Sequence, residues 1–463
     1  MDTGILELKH VVRSLPNDGL VLVLNTGAVI TPEAEAMLQA LHSRSVGGIR
    51  EHLKTLAEKG PEKFMQSFYV GYGHKSIGDC GTGTIFVEGV SMLVAKAIQD
   101  WLLYSGQEAS TRYIDFSTQK FIDPIGSGAS AEMLETWRKF YLASQEPVRA
   151  HLRKQFPRSE GEDKKVYEKA INARSFDILR GFLPAGASTN LSWHTNLRQA
   201  ADHVALLRHH PLAEVRVVAE TMESAFQEAF PSSFGHKQYE ATEAYQEMWM
   251  REGYLFRGME WRMPTRETKL HLDVALMSNT IDLDLLSLYQ PFFASRPPKT
   301  ELPKQMAECG TMQFEFLIDF GSFRDVQRQR SVIQRMPLLT SDFGLHPWYL
   351  ESLPVDVRQS ASDLVYTQLD RIDSWPQDEL IGQYYLPMGM CVPCRLTGDL
   401  PALTYVVELR AQAMVHPTLH DVALQMADLM LKELDHEGLV LYVDREKGRF
   451  DVRRGLQDIV RKD

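Results

Sequence analysis

The chain has 463 residues, of which 44% are hydrophobic and 24% charged, and its formal net charge is −11. Proteins that coat DNA or RNA usually present a basic face, so this charge argues against a nucleic-acid polymer as partner but allows a mononucleotide held by a few arginines. Four cysteines in so long a chain form no disulfide framework, and neither a signal peptide nor a membrane-spanning stretch is recognisable. We therefore expect a cytoplasmic protein.

The first half of the chain predicts strands embedded among helices. Thr31 can cap a helix and Pro32 suits its first turn, which favours a helical segment over 31–59. The hydrophobic spacing predicts strands at 21–25 and 82–90, and helices at 91–103, 130–152, 163–181, 197–207 and 213–230.

The second half predicts a similar series after an irregular segment. Residues 232–305 mix Gly, Pro and aromatic residues, which is typical of a connector followed by the opening of a second unit. A strand at 312–319, a basic segment at 324–335, helices at 356–372 and 403–413, and a terminal hairpin over 439–444 and 449–452 are predicted next.

An ordered set of short motifs occurs twice, which indicates an internal repeat. Each copy has an acid-Cys pair, a strand, a helix, a Leu-Pro pair and a helical Leu-Arg pair. The two copies are Asp79-Cys80, Leu183-Pro184 and Arg208, then Glu308-Cys309, Leu386-Pro387 and Arg410. We predict an α/β (α+β) fold of two tandem units, 1–235 and 236–463, each a small mixed sheet packed with helices.

The densest chemistry lies where the apolar helix at 91–103 stops. Hydroxyls, one carboxylate and one guanidinium follow within nine residues: Ser105, Gln107, Glu108, Ser110, Arg112 and Tyr113. Such a run can grip a phosphate monoester through a guanidinium fork, hydroxyls and turn N–H groups. A capped turn with a surface arginine is the alternative.

This run resembles the signature of the flavin-dependent (alternative) thymidylate synthases. That signature has an Arg-His-Arg triplet and then Ser-x-Asn/Gln-Glu-x-Ser-x-Arg-Tyr, whose second part fits residues 105–113 without a gap. Other segments similar to the family's motifs are Gly73-His74-Lys75-Ser76, Phe86–Ser91, Arg180–Pro184, Trp193–Arg198, Leu207-Arg208 and Ala213–Arg216. The resemblance covers roughly residues 70–231 in order.

The resemblance implies roles for individual residues. The nucleotide would be bound by Ser105, Gln107, Glu108, Ser110, Arg112, Tyr113 and Arg180. Arg208 would be catalytic, since a cation beside the pyrimidine favours its N3-deprotonated form and makes C5 more nucleophilic. FAD would contact Ser76, Asn196 and Arg198, and Asp202 stands where the family has a flavin-contacting Asn. Without the resemblance, Arg208 is a helix-surface arginine, Arg180 pairs with Asp177, and Asn196 is a helix N-cap.

The two halves depart from the family in opposite ways. In the first half the Arg-His-Arg positions hold Asp100, Trp101 and Leu102, and an acid with two apolar residues cannot neutralise a flavin pyrophosphate. In the second half these positions hold Arg328, Gln329 and Arg330. There the nucleotide signature is lost at 337–340, Gln383 replaces the arginine of Arg-x-x-Leu-Pro, and Arg410 remains.

Complementary halves suggest a composite site in which Arg328 and Arg330 lie beside Ser110 and Arg112. This hypothesis predicts a homodimer that is a pseudo-tetramer of repeats. A purely structural second half, or a solvated basic helix at 324–335, is the alternative.

The resemblance implies transfer of a one-carbon unit to C5 of dUMP, with FAD, methylenetetrahydrofolate as carbon donor and NADPH as reductant. A different pyrimidine nucleotide or oxidation level, and a flavin-free, non-catalytic nucleotide-binding protein, are the competing hypotheses. No metal site is expected, because Cys391-Val392-Pro393-Cys394 lacks a second ligand pair and His209, His210 and His416 lack partners at ligand spacing. The two cysteines are interpreted as buried thiols, with a redox-active pair as the alternative.

Overall fold

The computed structural model describes residues 10–24, 31–44, 49–62, 65, 75–109, 111, 114–235, 237–254, 270–375, 378–434 and 438–446. The strands in these residues are β1 His10–Ser14, β2 Leu20–Leu24, β3 Thr82–Ser91, β4 Ser105–Glu108, β5 Ser188–Asn196, β6 Ala275–Asn279, β7 Thr311–Asp319, β8 Ile333–Arg335 and β9 Cys391–Asp399. The helices of the first 254 residues are α1 Pro32–Arg44, α2 Ile49–Lys59, α3 Met92–Gln99, α4 Gly128–Gln155, α5 Lys164–Leu179, α6 Leu197–Leu207, α7 Ala213–Ala229 and α8 Glu240–Tyr254.

The later helices are α9 Leu283–Ser287, α10 Gln290–Ala294, α11 Phe320–Gln327, α12 Pro347–Glu351, α13 Val355–Asp373, α14 Glu379–Gly382, α15 Leu400–Arg410 and α16 Pro417–Leu434. None of the helices in the described part of the chain is long and apolar enough to cross a membrane.

The chain divides into two compact units, and each is assembled from separate segments. The first unit comprises Met1–Ile114, Gln119–Ile122 and Gly186–Leu255, and the second comprises Asp115–Thr118, Asp123–Ala185 and Phe256–Asp463. Helices α4 and α5 therefore pack in the second unit, although the sequence places them in the first half. The boundary near residue 235 was inferred for the sequence repeat and stays a prediction.

The first unit contains a five-stranded antiparallel sheet in the order β1-β2-β3-β5-β4. Helix α7 packs against β1 and β2, and α3 against β3 and β5. The core of this unit includes fully buried Val21, Ile85, Trp193 and Phe226. Each such side chain contributes about 2 kcal/mol through removal of apolar surface from water.

The second unit contains a four-stranded antiparallel sheet in the order β6-β7-β9-β8. Helix α16 packs against β7, and α15 follows β9 directly. The fold is thus α/β with two small sheets, as predicted, but the sheets are antiparallel and not mixed.

Both sheets are built from elements in the same order. In each unit a 3₁₀ turn ending in an acid-Cys pair leads into a central strand, an N-capped helix and a short edge strand, and later into a second central strand followed by two helices. The edge strands share their register: Ser105 of β4 faces His194 and Ile333 of β8 faces Thr397, each the third residue from the end of its partner strand. This correspondence supports the proposed duplication.

A bulge in β3 explains a difference in spacing between the halves. The pairing of β3 with β5 shifts register between Glu88 and Val90, whereas β7 and β9 pair without a shift. The extra residue is Gly89, whose φ of 70° is strained for any other residue, and a Cβ there would lie 2.8 Å from the Cα of Gly19. The interval from the acid-Cys pair to the Arg-His-Arg position is therefore one residue longer in the first half.

Most predicted elements are present, with specific corrections. Strands near 21–25, 82–90 and 312–319, and the helices near 130–152, 163–181, 197–207, 213–230 and 356–372, are confirmed. The helix predicted over 91–103 ends at Gln99, the one over 31–59 is two helices, and the one over 403–413 spans 400–410 instead. The supposed connector contains α8 and β6, and 439–444 forms no strand. Residues 449–452 lie outside the described residues.

Candidate functional site

The nucleotide-like motif begins on an edge strand of the first unit. Within β4, Ser105 and Gln107 are exposed, whereas Glu108 is half-buried and accepts a hydrogen bond from Nε2 of Gln99 at 2.9 Å. Gly106 is required here, because a Cβ would lie 2.0 Å from the backbone oxygen of Ser192. The remaining predicted binders, Ser110, Arg112 and Tyr113, lie outside the described residues.

Arg208 lies at the end of α6 between two carboxylates. Its Nη1 donates to both carboxylate oxygens of Glu223 at 3.2 and 3.1 Å, and its Nη2 donates to both oxygens of Glu243 at 3.3 and 3.1 Å. The Arg208 side chain is 13% exposed. His209 adds a contact of 2.9 Å from Nε2 to Glu243. The cation predicted to face a pyrimidine is thus neutralised within the protein.

The predicted flavin residues of the first unit have structural partners or face solvent. Asn196 is the N-cap of α6 and accepts from the backbone N–H of Gln199 at 2.8 Å. Arg198 pairs with Asp79 through Nε at 2.7 Å. Ser76 is exposed, and Asp202 is half-buried on α6. The N-cap alternative for Asn196 is confirmed, and it is compatible with a ligand contact.

In this unit, the residues at the position of the Arg-His-Arg triplet face solvent or make contacts within the protein. Helix α3 ends at Gln99 and Asp100 is exposed. The indole N–H of Trp101 donates to Gln199 at 2.9 Å, and its ring stacks on His203 with centroids 4.5 Å apart. Leu102 is 67% exposed. An acid, a packed indole and an exposed leucine do not fit a flavin pyrophosphate.

Arg180 is buried in the second unit. Its Nη2 donates to Oγ of Ser322 at 3.2 Å, and its Nε is buried without a hydrogen-bond partner. Burial acts to lower the pKa of Arg180, but Tyr349, Asp177 and Asp319 outweigh burial and raise it. The alternative from the sequence, in which Arg180 pairs with Asp177, therefore accounts for part of the surroundings of Arg180.

A buried polar network surrounds Arg180, and no motif in the sequence predicted it. Asp319 caps α11 and accepts from the backbone N–H of Ser322 at 2.9 Å, from Tyr349 at 2.7 Å and from Thr418 at 2.6 Å. Burial acts to raise the pKa of Asp319, yet His416 and Arg180 hold it below its ordinary value. These residues come from four distant segments, so no local motif could reveal the cluster.

The first unit has the same contact with the chemical groups exchanged. Ser91 caps α3, and its hydroxyl donates to Glu214 at 2.6 Å. In the second unit the cap is the acid, Asp319, and the hydroxyl belongs to Thr418. In both units this hydroxyl–carboxylate pair ties the helix after the first central strand to the start of the last helix of the repeat.

The second unit keeps cations at the triplet position. Helix α11 ends at Gln327, and Arg328 is exposed, with Nε 3.6 Å from Asp325. Gln329 is buried, and Arg330 is half-buried.

The lost nucleotide signature of this unit is part of its core. Leu338 and Leu339 are buried, and the backbone N–H of Leu339 donates to Gln383 at 3.1 Å. Gln383 stands where the family has an arginine. Its hydrogen bond thus holds residues 337–340, the segment that stands where the family has its nucleotide signature.

Arg410 does not occupy the position of Arg208. Helices α6 and α15 each have eleven residues, and Arg410 is the last residue of α15 whereas Arg208 follows the last residue of α6. Buried Ala411 stands at the place of Arg208. The repeat alignment that pairs Arg410 with Arg208 is therefore wrong by one residue.

Comparison with known proteins finds a family model that matches the first half. Residues 25–232 match the model described as thymidylate synthase complementing protein. This range is rather less than half of the 463-residue chain, and through it the chain is similar to that family. Edge strand β4, helix α6 and Arg208 all lie within the matched range.

Relatives extend the similarity beyond the family match. A UPF0159 protein of Chlamydia muridarum is 26% identical over 407 residues, which cover 77% of this chain and 76% of the relative. One of Chlamydia pneumoniae is 24% identical over 484 residues and 90% of each chain. One of Thermoplasma acidophilum is 22% identical over 439 residues, covering 80% of this chain and 86% of the relative. The similarity to these UPF0159 proteins therefore extends into the second half of the chain.

The cysteine pair of the second half is structural. Cys391 and Cys394 are buried free thiols on β9. Three positions apart on a strand, they point to opposite faces of the sheet, so they cannot pair with each other. Burial raises the pKa of Cys391 far above its ordinary value. Among the described residues no group of three or more His, Cys, Asp or Glu is placed to hold a metal ion.

A cleft of about 460 Å³ lies in the second unit and shares Thr418 with the buried network. Its lining residues include Arg174, His346, Trp348, Glu351 and Asp421. Burial lowers the pKa of His346, which keeps this imidazole neutral near pH 7. Sequence reasoning had no signal for this cleft.

Proposed function

We propose that this protein transfers a one-carbon unit to C5 of dUMP or a closely related pyrimidine nucleotide. The observation that carries the proposal is the match of residues 25–232 to the family model described as thymidylate synthase complementing protein. Within that range, β4 carries Ser105, Gln107 and Glu108 and pairs with β5, and β5 leads into α6, which Arg208 follows. The described part of the nucleotide motif and Arg208 thus belong to neighbouring elements of one unit.

The protein groups have binding and electrostatic tasks. Ser105 and Gln107 project from an edge strand and offer hydrogen bonds to a nucleotide, together with Ser110, Arg112 and Tyr113. Arg208 stabilises negative charge on the pyrimidine ring, and a fixed cation in a site with little water contributes on the order of a few kcal/mol. The chemistry needs no protein nucleophile, so Ser105 and Ser110 bind the nucleotide rather than attack it.

A flavin would supply the hydride in this reaction, with methylenetetrahydrofolate as carbon donor and NADPH as reductant. The first unit does not fit the flavin pyrophosphate, because Asp100, Trp101 and Leu102 offer it no cation. Arg328 and Arg330 carry the positive charge that the first unit lacks, and our proposal assigns the flavin phosphates to them. We further propose that the chain acts as a homodimer.

The second candidate is a flavin-free protein that binds a pyrimidine nucleotide without catalysis. The packing of Trp101 onto His203 and Gln199 favours this candidate, since the family's flavin-binding position is occupied by a hydrogen-bonded, stacked side chain.

An absorbance spectrum from 300 to 550 nm, recorded before and after addition of FAD and desalting, separates the two candidates. Retained flavin, followed by turnover of dUMP with methylenetetrahydrofolate and NADPH, is the expected result. Absence of retained flavin together with dUMP binding would favour the non-catalytic candidate. Absence of both would contradict the proposal.

A further inference from the structure

The two carboxylates on Arg208 are carried by helices of different burial. Glu223 lies on α7, which buries Val215, Val218, Ala219, Met222, Ala225 and Phe226. Glu243 lies on α8, where no described side chain is buried and only Glu243, Gln246 and Met250 are half-buried. These three residues form one narrow stripe at helical spacing. Glu223 is therefore fixed to the core of the unit, whereas α8 is held at its surface.

Within the part of the chain that the structure describes, the contact of Glu243 is the principal polar attachment of α8. Glu243 accepts from Arg208 at 3.1 and 3.3 Å and meets Nε2 of His209 at 2.9 Å. The opposite side of the helix exposes apolar Tyr245, Met248 and Trp249 to solvent, so this side adds little packing energy against the described residues. Since little apolar surface is buried, breaking this one charge contact suffices to loosen the helix.

Two carboxylates conflict with the role of Arg208 in the proposed reaction. One guanidinium between two carboxylates leaves these three groups with a net negative charge, where an anionic pyrimidine must be stabilised. A carboxylate beside a developing anion raises its energy, because like charges repel strongly where water is scarce. One carboxylate has to move away before Arg208 can contact the nucleotide. Glu243 is the one we expect to move, because its helix, α8, is less buried than α7.

We propose that helix α8 is a lid that Glu243 closes onto Arg208, and that a pyrimidine nucleotide displaces it. This inference rests on the proposed function, because it concerns the same arginine. Glu223 stays in place and orients the guanidinium, so that the Nη2 edge released by Glu243 faces the ligand. The lid keeps Arg208 neutralised until an anionic ligand binds.

The test compares Glu243→Gln with Glu247→Gln in the full chain, using dUMP as the probe. Glu247 lies one turn further along the same helix and is exposed. Titration calorimetry should show about fivefold or greater tightening of dUMP binding for Glu243→Gln, because the closed state no longer competes. The Glu247→Gln control should stay within twofold of the unchanged protein.

Amide hydrogen exchange gives a second readout that needs no ligand. Backbone exchange across 240–254 should be at least fivefold faster in Glu243→Gln than in Glu247→Gln, and addition of dUMP to the unchanged protein should accelerate the same segment. Unchanged exchange in Glu243→Gln would overturn the lid, since the helix would then be held by something else.

The outcomes distinguish this inference from the proposed function. If the unchanged protein binds dUMP and Glu243→Gln binds it equally well, the lid is wrong and the nucleotide assignment stands. If neither protein binds dUMP, the assignment of the nucleotide falls, and the inference falls with it.

Discussion

At the scale of single residues, the structure shows that a residue that matches the family motif can be bound to other groups of the protein. Arg180 and Arg208 both match the family pattern, but Arg180 lies inside a buried network and Arg208 is held by Glu223 and Glu243. Residue identity at the right spacing therefore predicted the cations but not their partners. The hydrogen-bond partners lie 15 and 35 residues from Arg208 and 142 residues from Arg180, and no local pattern encodes such pairings.

Arg112 provides the sharpest test of the nucleotide motif. Replacing it with Ala should weaken dUMP binding by more than tenfold, since a guanidinium makes charge-assisted bonds to a phosphate that water does not replace. Flavin retention should not change. Titration of both ligands measures the effect, and an unchanged dUMP affinity would refute the phosphate assignment.

At the scale of elements, the helices and the first central strand of each sheet were easier to predict than the second central strand. Helix 197–207 was predicted to the residue, because Asn196 caps it and its apolar spacing is regular. The central strands β5 and β9 were missed. β5 carries polar Thr189, Asn190 and His194, and β9 contains Pro393, a residue that ordinarily argues against a central strand. Their identity as strands depends on pairing with β3 and β7, which is a tertiary property.

Gly106 tests whether the edge strand β4 needs its close approach to β5. Gly106→Ala would place a Cβ 2.0 Å from the oxygen of Ser192, so the strand must shift. We expect a loss of about 2 kcal/mol in unfolding free energy and weaker dUMP binding. Urea denaturation and titration measure the two effects.

Gly128→Ala is the matched control for that variant. A Cβ at Gly128 meets nothing within 4 Å, and this residue opens α4. Its unfolding free energy should change by less than about 1 kcal/mol. Equal stability of the two variants would show that β4 has room for a side chain.

At the scale of the whole molecule, three buried histidines make stability depend on pH. Burial lowers the pKa of His203 to about 4, of His210 to about 3 and of His416 to about 4. The unfolded chain protonates these groups near pH 6.5, so the stabilisation is complete above that value and is lost as the pH falls towards 4. We expect a loss of about 2 kcal/mol per histidine between pH 7 and pH 5.

Urea unfolding at pH 7 and pH 5 measures this dependence. The variant His203→Gln should lose less stability on acidification than the unchanged protein, because one of the three groups no longer takes up a proton. An identical difference between the two pH values in both proteins would show that His203 does not contribute.

A double variant tests whether the two halves supply complementary parts of one site. Arg328→Ala with Arg330→Ala should abolish retention of FAD and leave dUMP affinity within twofold, because the two changes remove cations without touching β4. Absorbance after desalting measures the flavin, and light scattering measures the proposed dimer. Flavin that stays bound in the double variant would exclude these arginines as its site.

The exchanged hydroxyl–carboxylate pairs restrict how the two halves can diverge. Ser91 with Glu214, and Thr418 with Asp319, are two ways of making the same contact. Changing Ser91 to Asp alone would set two acids face to face, whereas changing Glu214 to Thr alone would leave two hydroxyls, which can still hydrogen-bond to each other. The two arrangements can therefore be interchanged one residue at a time only in the order that places a hydroxyl pair between them.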